Sequence, residues 1–277
     1  MSSPSSPPTL RWSGMTHCGR VRKNNEDAFL ALTFDAHGLR YLGKIGEAVL
    51  DGADFVFAVS DGMGGANSGE YASRVAVEKI TRLLPRAFKL GAEGLHAGHQ
   101  DILDQLFRDI HAELTTMGRY YPECEGMGAT LSLGWFTPGY MHFAHIGDSR
   151  IYEIDKDEGM TQITHDHTHV GWLRRSGKLN EREARTHPMR NVLSKALGAG
   201  HQFMDPQLGS VRVEPGDVLV FCTDGVTDGL WDRRLQEIVR ERPPEAGGVL
   251  RLAQQIVEEA VASSGRDNAT AVVVEVG

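Results

Sequence analysis

Six short runs rich in Val, Ile, Phe and Thr constrain the fold more than any other feature of the chain. They are residues 54–60, 129–136, 140–147, 150–154, 217–223 and 269–276, each bounded by turn residues. Each has the length and side-chain type of a strand. Thr137-Pro138-Gly139-Tyr140 joins two of them by a link too short for a crossover, so those strands run antiparallel. The ends of the runs are acidic. Asp61-Gly62 follows FVFAVS, Asp224-Gly225 follows VLVFCT, Asp148 follows FAHIG, and Asp267 just precedes ATAVVVEV.

Other stretches carry helical periodicity. Ile102, Leu106, Ile110, Leu114 and Met117 form one apolar stripe, and Ala72, Val75, Ala76, Ile80, Leu83 and Leu84 form another. Leu250, Ala253, Ile256, Val257 and Val261 form a third. One-sided helices cover a sheet with the stripe and meet water with the opposite face. The expected class is therefore α+β, with packed antiparallel sheets inside and helices outside. Residues 36–52 read as a strand plus a hairpin turn. Residues 164–198 are polar, with two short helical pieces, one starting at Asn180 ahead of Glu181 and Glu183, and read as a flap. Residues 1–9, rich in Ser and Pro, read as a flexible tail, and residues 10–277 as one domain. Pro243-Pro244 with Gly247-Gly248 reads as a connector between surface helices rather than a boundary.

Composition narrows the function. A net charge of −8 argues against nucleic-acid binding. Cys18, Cys124 and Cys222 lie far apart with no CxxC pair, which argues against a disulfide framework and a cysteine zinc site. No apolar run reaches the roughly 18 residues of a membrane span. The opening residues lack the basic and apolar regions of a signal peptide. A cytoplasmic protein without membrane partners is expected.

Five acidic motifs lie at strand ends or in turns: Asn25-Glu26-Asp27, Asp61-Gly62, Gly147-Asp148-Ser149, Asp224-Gly225 with Asp228, and Asp267-Asn268. One Asp-Gly is a turn signal; five acidic motifs at the rims of core strands form a constellation. Carboxylates gathered at one sheet edge repel, so some must take up protons or share cations. Oxygen ligands, with no histidine in the motifs and no paired cysteines, select hard ions, Mg²⁺ or Mn²⁺, over zinc. Two such ions, roughly 3.5–4 Å apart around a bridging water, suit phosphoryl transfer to water. An arginine should face the phosphate, and Arg22, four residues before Glu26, is the candidate. Gly62, Gly64 and Gly65 would allow close backbone approach.

Between Gly19 and Val274 the chain reads, in order, GRVRKNNEDAF, SDGMGG, GMGATL, HIGDSRIY, THDHTHV, HPMRNVLSKALG, GDVLVFCTDGVTDGL and GRDNATAVVV. This series resembles the PPM-type, or type 2C, metal-dependent protein serine/threonine phosphatases in their compact bacterial form. The resemblance implies a four-layer α/β/β/α sandwich. Two central antiparallel sheets would be flanked by helices, with metals in a channel at one end and the flap at 164–198 beside it. It implies hydrolysis of phosphoserine and phosphothreonine in proteins by a bridging water activated by two metals, Mn²⁺ or Mg²⁺. By position, Asp61 would bridge both ions, and Asp224 and Asp267 would complete the first, the three forming the catalytic set. Glu26 and the Gly62 carbonyl would face the second, largely through water, with Asp27 in the outer shell. Arg22 would hold the substrate phosphate. A third, weaker ion would sit on Asp148, Asp224 and Asp228. The implied partners are phosphoprotein substrates and a cognate Ser/Thr kinase, whose action the enzyme would oppose, and the implied state is a monomer.

Asp166 is expected to be structural, Gly126, Gly128 and Thr130 to serve strand packing, and Ser149 and Arg150 to brace the Asp148 turn. Some members carry a histidine after the Asp-Gly as proton donor to the leaving alkoxide. Here that position is Met63, which leaves the acid unassigned, with His165, His167, His169 and His187 of the flap as candidates. Two other readings share these residues. One is a silent module that binds phosphoproteins, whose mark, a replaced metal carboxylate, is missing. The other is hydrolysis of a different phosphoester.

Overall fold

Alternation along the central strands builds the layers. Phe55, Phe57 and Val59 point into one apolar core, while Val56 and Ala58 between them point into another. Leu219 and Phe221 share the core of Phe57, and Val218, Val220 and Cys222 face a third. Strands buried on both faces read as continuous apolar runs, which is why these were visible in the sequence.

The computed structural model describes residues 7–35, 37–64, 68–92, 98–157, 159–201, 204–242 and 248–277, with only the backbone of 85–92. Most of the tail, Gly65, and Pro243, Pro244 and Gly247 of the connector lie outside the described residues. Strands β1 (Thr9–His17), β2 (Asp27–Phe34), β3 (Leu39–Tyr41), β4 (Ile45–Val49) and β5 (Asp54–Met63) lead into helices α1 (Ser68–Ala92) and α2 (His99–Tyr120). Next come β6 (Gly128–Ala129), β7 (Leu131–Thr137), β8 (Tyr140–Ile146), β9 (Arg150–Ile154), β10 (Met160–Gln162), α3 (His169–Arg175) and α4 (Glu181–Thr186). The chain closes with β11 (Leu197–Gly198), β12 (Gln207–Arg212), β13 (Val218–Cys222), α5 (Asp224–Gly229), α6 (Asp232–Arg240), α7 (Val249–Ser263) and β14 (Ala269–Val276).

One sheet has the order β10-β9-β13-β14-β1-β4. The other runs β11-β6-β5-β7-β8-β12, with β2 also paired to β5 and β3 to β2. The strand pairs are antiparallel, including the predicted β7–β8 hairpin. Between the sheets lies the core of Trp12, Phe57, Phe136, Phe221 and Val274. The stripes of α1 and α2 close a second core over β5 and β7, and α5, α6 and α7 close a third over β13 and β14. The result is a four-layer α/β/β/α sandwich of two antiparallel sheets flanked by helices.

Some expectations change. β3 forms a hairpin with β2 across the tight link from Phe34 to Leu39, as expected of 36–52, but a second strand, β4, follows and pairs with β1, so the link between β3 and β4 carries the chain from one sheet to the other. The run 129–136 is broken at Thr130, where the chain leaves β6 and enters β7. The last stripe is rotated: Val249, Leu252 and Ala260 are buried, while Leu250 is half-buried. The flap helix at Asn180 is closed by a capping box. Asn180 Oδ1 accepts the Glu183 N–H at 2.9 Å, and Glu183 Oε2 accepts the Asn180 N–H at 2.8 Å. Among the described residues no helix is long and apolar enough to cross a membrane.

Candidate active site

β5 carries Asp61 to the rim of its sheet, and one threonine fixes it there. The Asp61 N–H donates to the Thr130 hydroxyl at 2.9 Å, and the Asp61 carbonyl accepts the Thr130 N–H at 2.8 Å. The same hydroxyl lies 2.8 Å from that of Ser149, which ties the turn bearing Asp148 to the same point. On the neighbouring strand, Asp27 stands in register with Asp61.

The second sheet contributes from the opposite side. Thr223 follows the last residue of β13, and its hydroxyl accepts the Thr270 N–H at 3.0 Å and donates to Asp27 Oδ2 at 2.7 Å. Asp224 opens α5 directly afterwards. Asn268 pins the loop before β2: its Oδ1 accepts the Glu26 N–H at 2.8 Å, and its Nδ2 donates to the carbonyls of Cys18 and Asn24 at 2.8 and 2.9 Å.

These ties bring Arg22, Glu26, Asp61, Asp148, Asp224 and Asp267 around one cavity of about 430 Å³, with Gly62, Met63, Leu193 and His201 in its walls. Asp27 is not in the wall; it is buried behind Asp61 on the Thr223 hydroxyl. Asp228 lines a smaller adjoining cavity with Asp148 and Asp224, and Arg190 Nη2 lies 3.8 Å from its Oδ2. None of the four flap histidines lines the larger cavity.

The electrostatics are those of crowded acids. Burial, then the charges of Asp27, Asp224, Asp148 and Asp267, pushes Asp61 well above the usual carboxylate range. Burial, then Asp148, Asp267, Asp228 and Asp27, does the same to Asp224. Burial raises Asp27 to about 7 against hydrogen bonds that pull it down, and raises Asp148 to about 7 with Asp166 next in weight. Glu26 is raised chiefly by burial. The Arg22 guanidinium donates to Asp267 Oδ2 at 2.7 Å, and that bond is the main reason its pKa rises.

No three His, Cys, Asp or Glu side chains among the described residues stand close enough together to grip an ion. Unneutralised carboxylates repel one another, and Arg22 holds Asp267. The donor set still fits hard cations. All its charged ligands are carboxylates, and the buried oxygens Asp27 Oδ1 and Asp224 Oδ1 have no hydrogen-bond partner among the described residues. The backbone is packed for close approach: a Cβ at Gly62 would stand 1.9 Å from the Gly69 carbonyl oxygen, and one at Gly69 would stand 2.7 Å from Glu26 Oε1.

Sequence reasoning assigned Arg150 to the Asp148 turn. Instead its guanidinium takes Asp166 in a two-pronged bond, at 2.8 and 2.6 Å. It also passed over the positioning roles of Thr130, Thr223 and Asn268. Asn268 had a local signal, its place beside Asp267. The two threonines had none, because their partners lie on distant strands.

A sandwich of two antiparallel sheets with carboxylates meeting at their shared end is the architecture of the metal-dependent PPM phosphatases. The chain belongs to the protein phosphatase 2C family, whose match covers residues 44–258. It is 32% identical over 267 residues to the serine/threonine protein phosphatase PstP of Mycobacterium tuberculosis, covering 96% of this chain and 45% of that protein. It therefore spans about half the length of that relative. Against the serine/threonine phosphatase stp of Listeria innocua the identity is 29%, over 94% of this chain and 93% of the other. The crystal structure of the catalytic domain of PstP in complex with two manganese ions superposes with a TM-score of 0.75 at 29% identity, covering 97% of this chain and 99% of that one.

Proposed function

We propose that this chain hydrolyses phosphoserine and phosphothreonine in proteins, with Mn²⁺ or Mg²⁺ held at the shared end of the sheets. The observation that carries the reading is the convergence of Asp61, Asp224, Asp267 and Glu26 on one cavity that also admits Arg22. Asp61, Asp224 and Asp267 would hold one ion. Asp61, the Gly62 carbonyl and Glu26 would hold the second, with Asp27 behind them. Asp148, Asp224 and Asp228 would hold a weaker third. The two manganese ions in the PstP structure support the presence of two ions at such a site. When bound, such ions supply Lewis acidity that lowers the pKa of water and offsets charge on phosphoryl oxygens.

The residues of the chain do the rest. Arg22, half-exposed at the mouth, presents a planar fork to the phosphate and gives up its bond to Asp267 as it does so. Thr130 and Asn268 keep Asp61 and Glu26 from drifting, so the acidic wall is in place before substrate arrives. Leu193 and Met63 add apolar wall and limit water around the reacting group. The substrates would be phosphoproteins made by a Ser/Thr kinase, and the chain would act as a cytoplasmic monomer. The test is turnover of a phosphothreonine peptide by purified protein. Activity should appear with Mn²⁺ or Mg²⁺, vanish in chelator, and vanish in Asp61→Asn and Asp224→Asn. Turnover that persists in chelator refutes the reading.

A further inference from the structure

Cleaving a phosphoserine or phosphothreonine leaves the electron pair on an alkyl oxygen, a poor leaving group unless it gains a proton. Among the residues lining the 430 Å³ cavity, the carboxylates are assigned to the cations, Arg22 does not release its proton, and Met63 and Leu193 carry none to give. The Thr130 hydroxyl is engaged by Asp61 and Ser149. Among the described residues, the one imidazole in this wall is that of His201, a side chain able to hand a proton to an oxygen.

Its placement is built into the sheet. Met63 of β5 pairs with Gly128 of β6, and Gly128 pairs with Gly198 of β11, so a three-strand ladder leads from the Asp61 turn to His201. The chain then makes a turn in which Gly198, Ala199 and Gly200 have φ of 69°, 52° and 72°. Ala199 is the one non-glycine among the described residues with positive φ. A side chain in that region is held there at a cost, and such residues gather at functional sites. The turn is tightly fixed: Ala199 N–H donates to the Met127 carbonyl at 2.7 Å, His201 N–H to the Gly198 carbonyl at 3.1 Å, and Gly198 N–H to His111 Nδ1 of α2 at 3.1 Å. The flap histidines are turned to other tasks. His167 Nδ1 accepts the Gly147 N–H, and His187 Nδ1 accepts the Met189 N–H, each at 3.1 Å.

We infer that His201 is the catalytic acid that protonates the leaving serine or threonine oxygen, an inference that rests on the phosphatase reading. Water loses one proton to solvent as its oxygen bonds phosphorus. The bond from phosphorus to the side-chain oxygen breaks with its electron pair on that oxygen. The oxygen takes a proton from the His201 imidazolium, leaving a free hydroxyl and hydrogen phosphate, and the neutral ring regains its proton from solvent.

The test compares His201→Gln with the unaltered chain, both with saturating Mn²⁺, on a phosphothreonine peptide and on nitrophenyl phosphate, whose leaving group departs as a stable anion. The loss of kcat on the peptide should exceed the loss on nitrophenyl phosphate by about 10²-fold or more. The melting temperature and the calorimetric Mn²⁺ affinity should match those of the unaltered chain, which separates proton donation from a structural role. Equal loss on both substrates, or no loss on either, overturns the role of His201. Failure of the unaltered chain on both substrates overturns the phosphatase reading itself.

Discussion

Single atoms decide whether the acidic wall stands. The Thr130 hydroxyl serves the Asp61 N–H and reaches Ser149, so Thr130→Val leaves a buried donor without its acceptor. The expected cost is about 1–3 kcal/mol in urea unfolding, with a matching fall in Mn²⁺ affinity by calorimetry. Asp61→Asn keeps the volume and removes one of the crowded charges. It should lower kcat on a phosphothreonine peptide by about 10²-fold or more while raising the melting temperature in chelator, because Asp61 is destabilised by burial and its acidic neighbours. A fall in that melting temperature would contradict the electrostatic picture. At this scale the sequence was half legible. An aspartate after an apolar run is a local signal, so Asp61 and Asp224 could be read directly. A hydroxyl that bonds across strands, as Thr223 does to Asp27, leaves no trace in spacing.

Among the elements, the flap is fastened by a buried ionic network rather than by apolar packing. Arg150 of β9 holds Asp166 ahead of α3, and its Nη1 lies 3.7 Å from Asp232 at the start of α6. Arg174 of α3 also pairs with Asp232, and the Tyr152 hydroxyl donates to Asp232 at 3.0 Å. Removing one partner strands a buried charge, so Asp166→Ala should cost about 3–5 kcal/mol in urea unfolding. The double change Asp166→Ala with Arg150→Met should recover most of that loss, and a double variant as unstable as the single would refute the assignment. The flap helix α4 was legible through the Asn180 and Glu183 capping box, a short-range signal. Strand β1, TLRWSGMTH, was not, since its polar residues blur the alternation and its partners β4 and β14 lie far along the chain. In 36–52 the strand and hairpin turn were legible, as β3 and its link to β2, but β4 was not, for a related reason: local turn chemistry does not say which sheet a strand will join.

Over the whole molecule, two sets of buried groups pull stability in opposite directions with pH. Asp27 and Asp148 rise from 3.8 to about 7 in the folded chain, and Asp61 and Asp224 rise well above the same starting value. From 3.8 upward the unfolded chain has lost protons that the folded chain keeps, so these groups make stability fall as pH rises to about 7. Burial holds His142 and His145 at about 4 and His167 at about 3, against 6.5 unfolded. Below 6.5 the unfolded chain binds protons that the folded chain refuses, so these groups make stability rise with pH up to that value. In chelator the two sets oppose each other, giving a shallow profile below 6.5 and a decline between 6.5 and about 7. Saturating Mn²⁺ favours ionised carboxylates in the folded chain and removes their contribution, leaving the rise set by the histidines. Thermal melts across this range, with and without Mn²⁺, should therefore show a metal-induced shift that grows with pH. A shift that shrinks as pH rises would mean that the buried carboxylates are not where the cations bind.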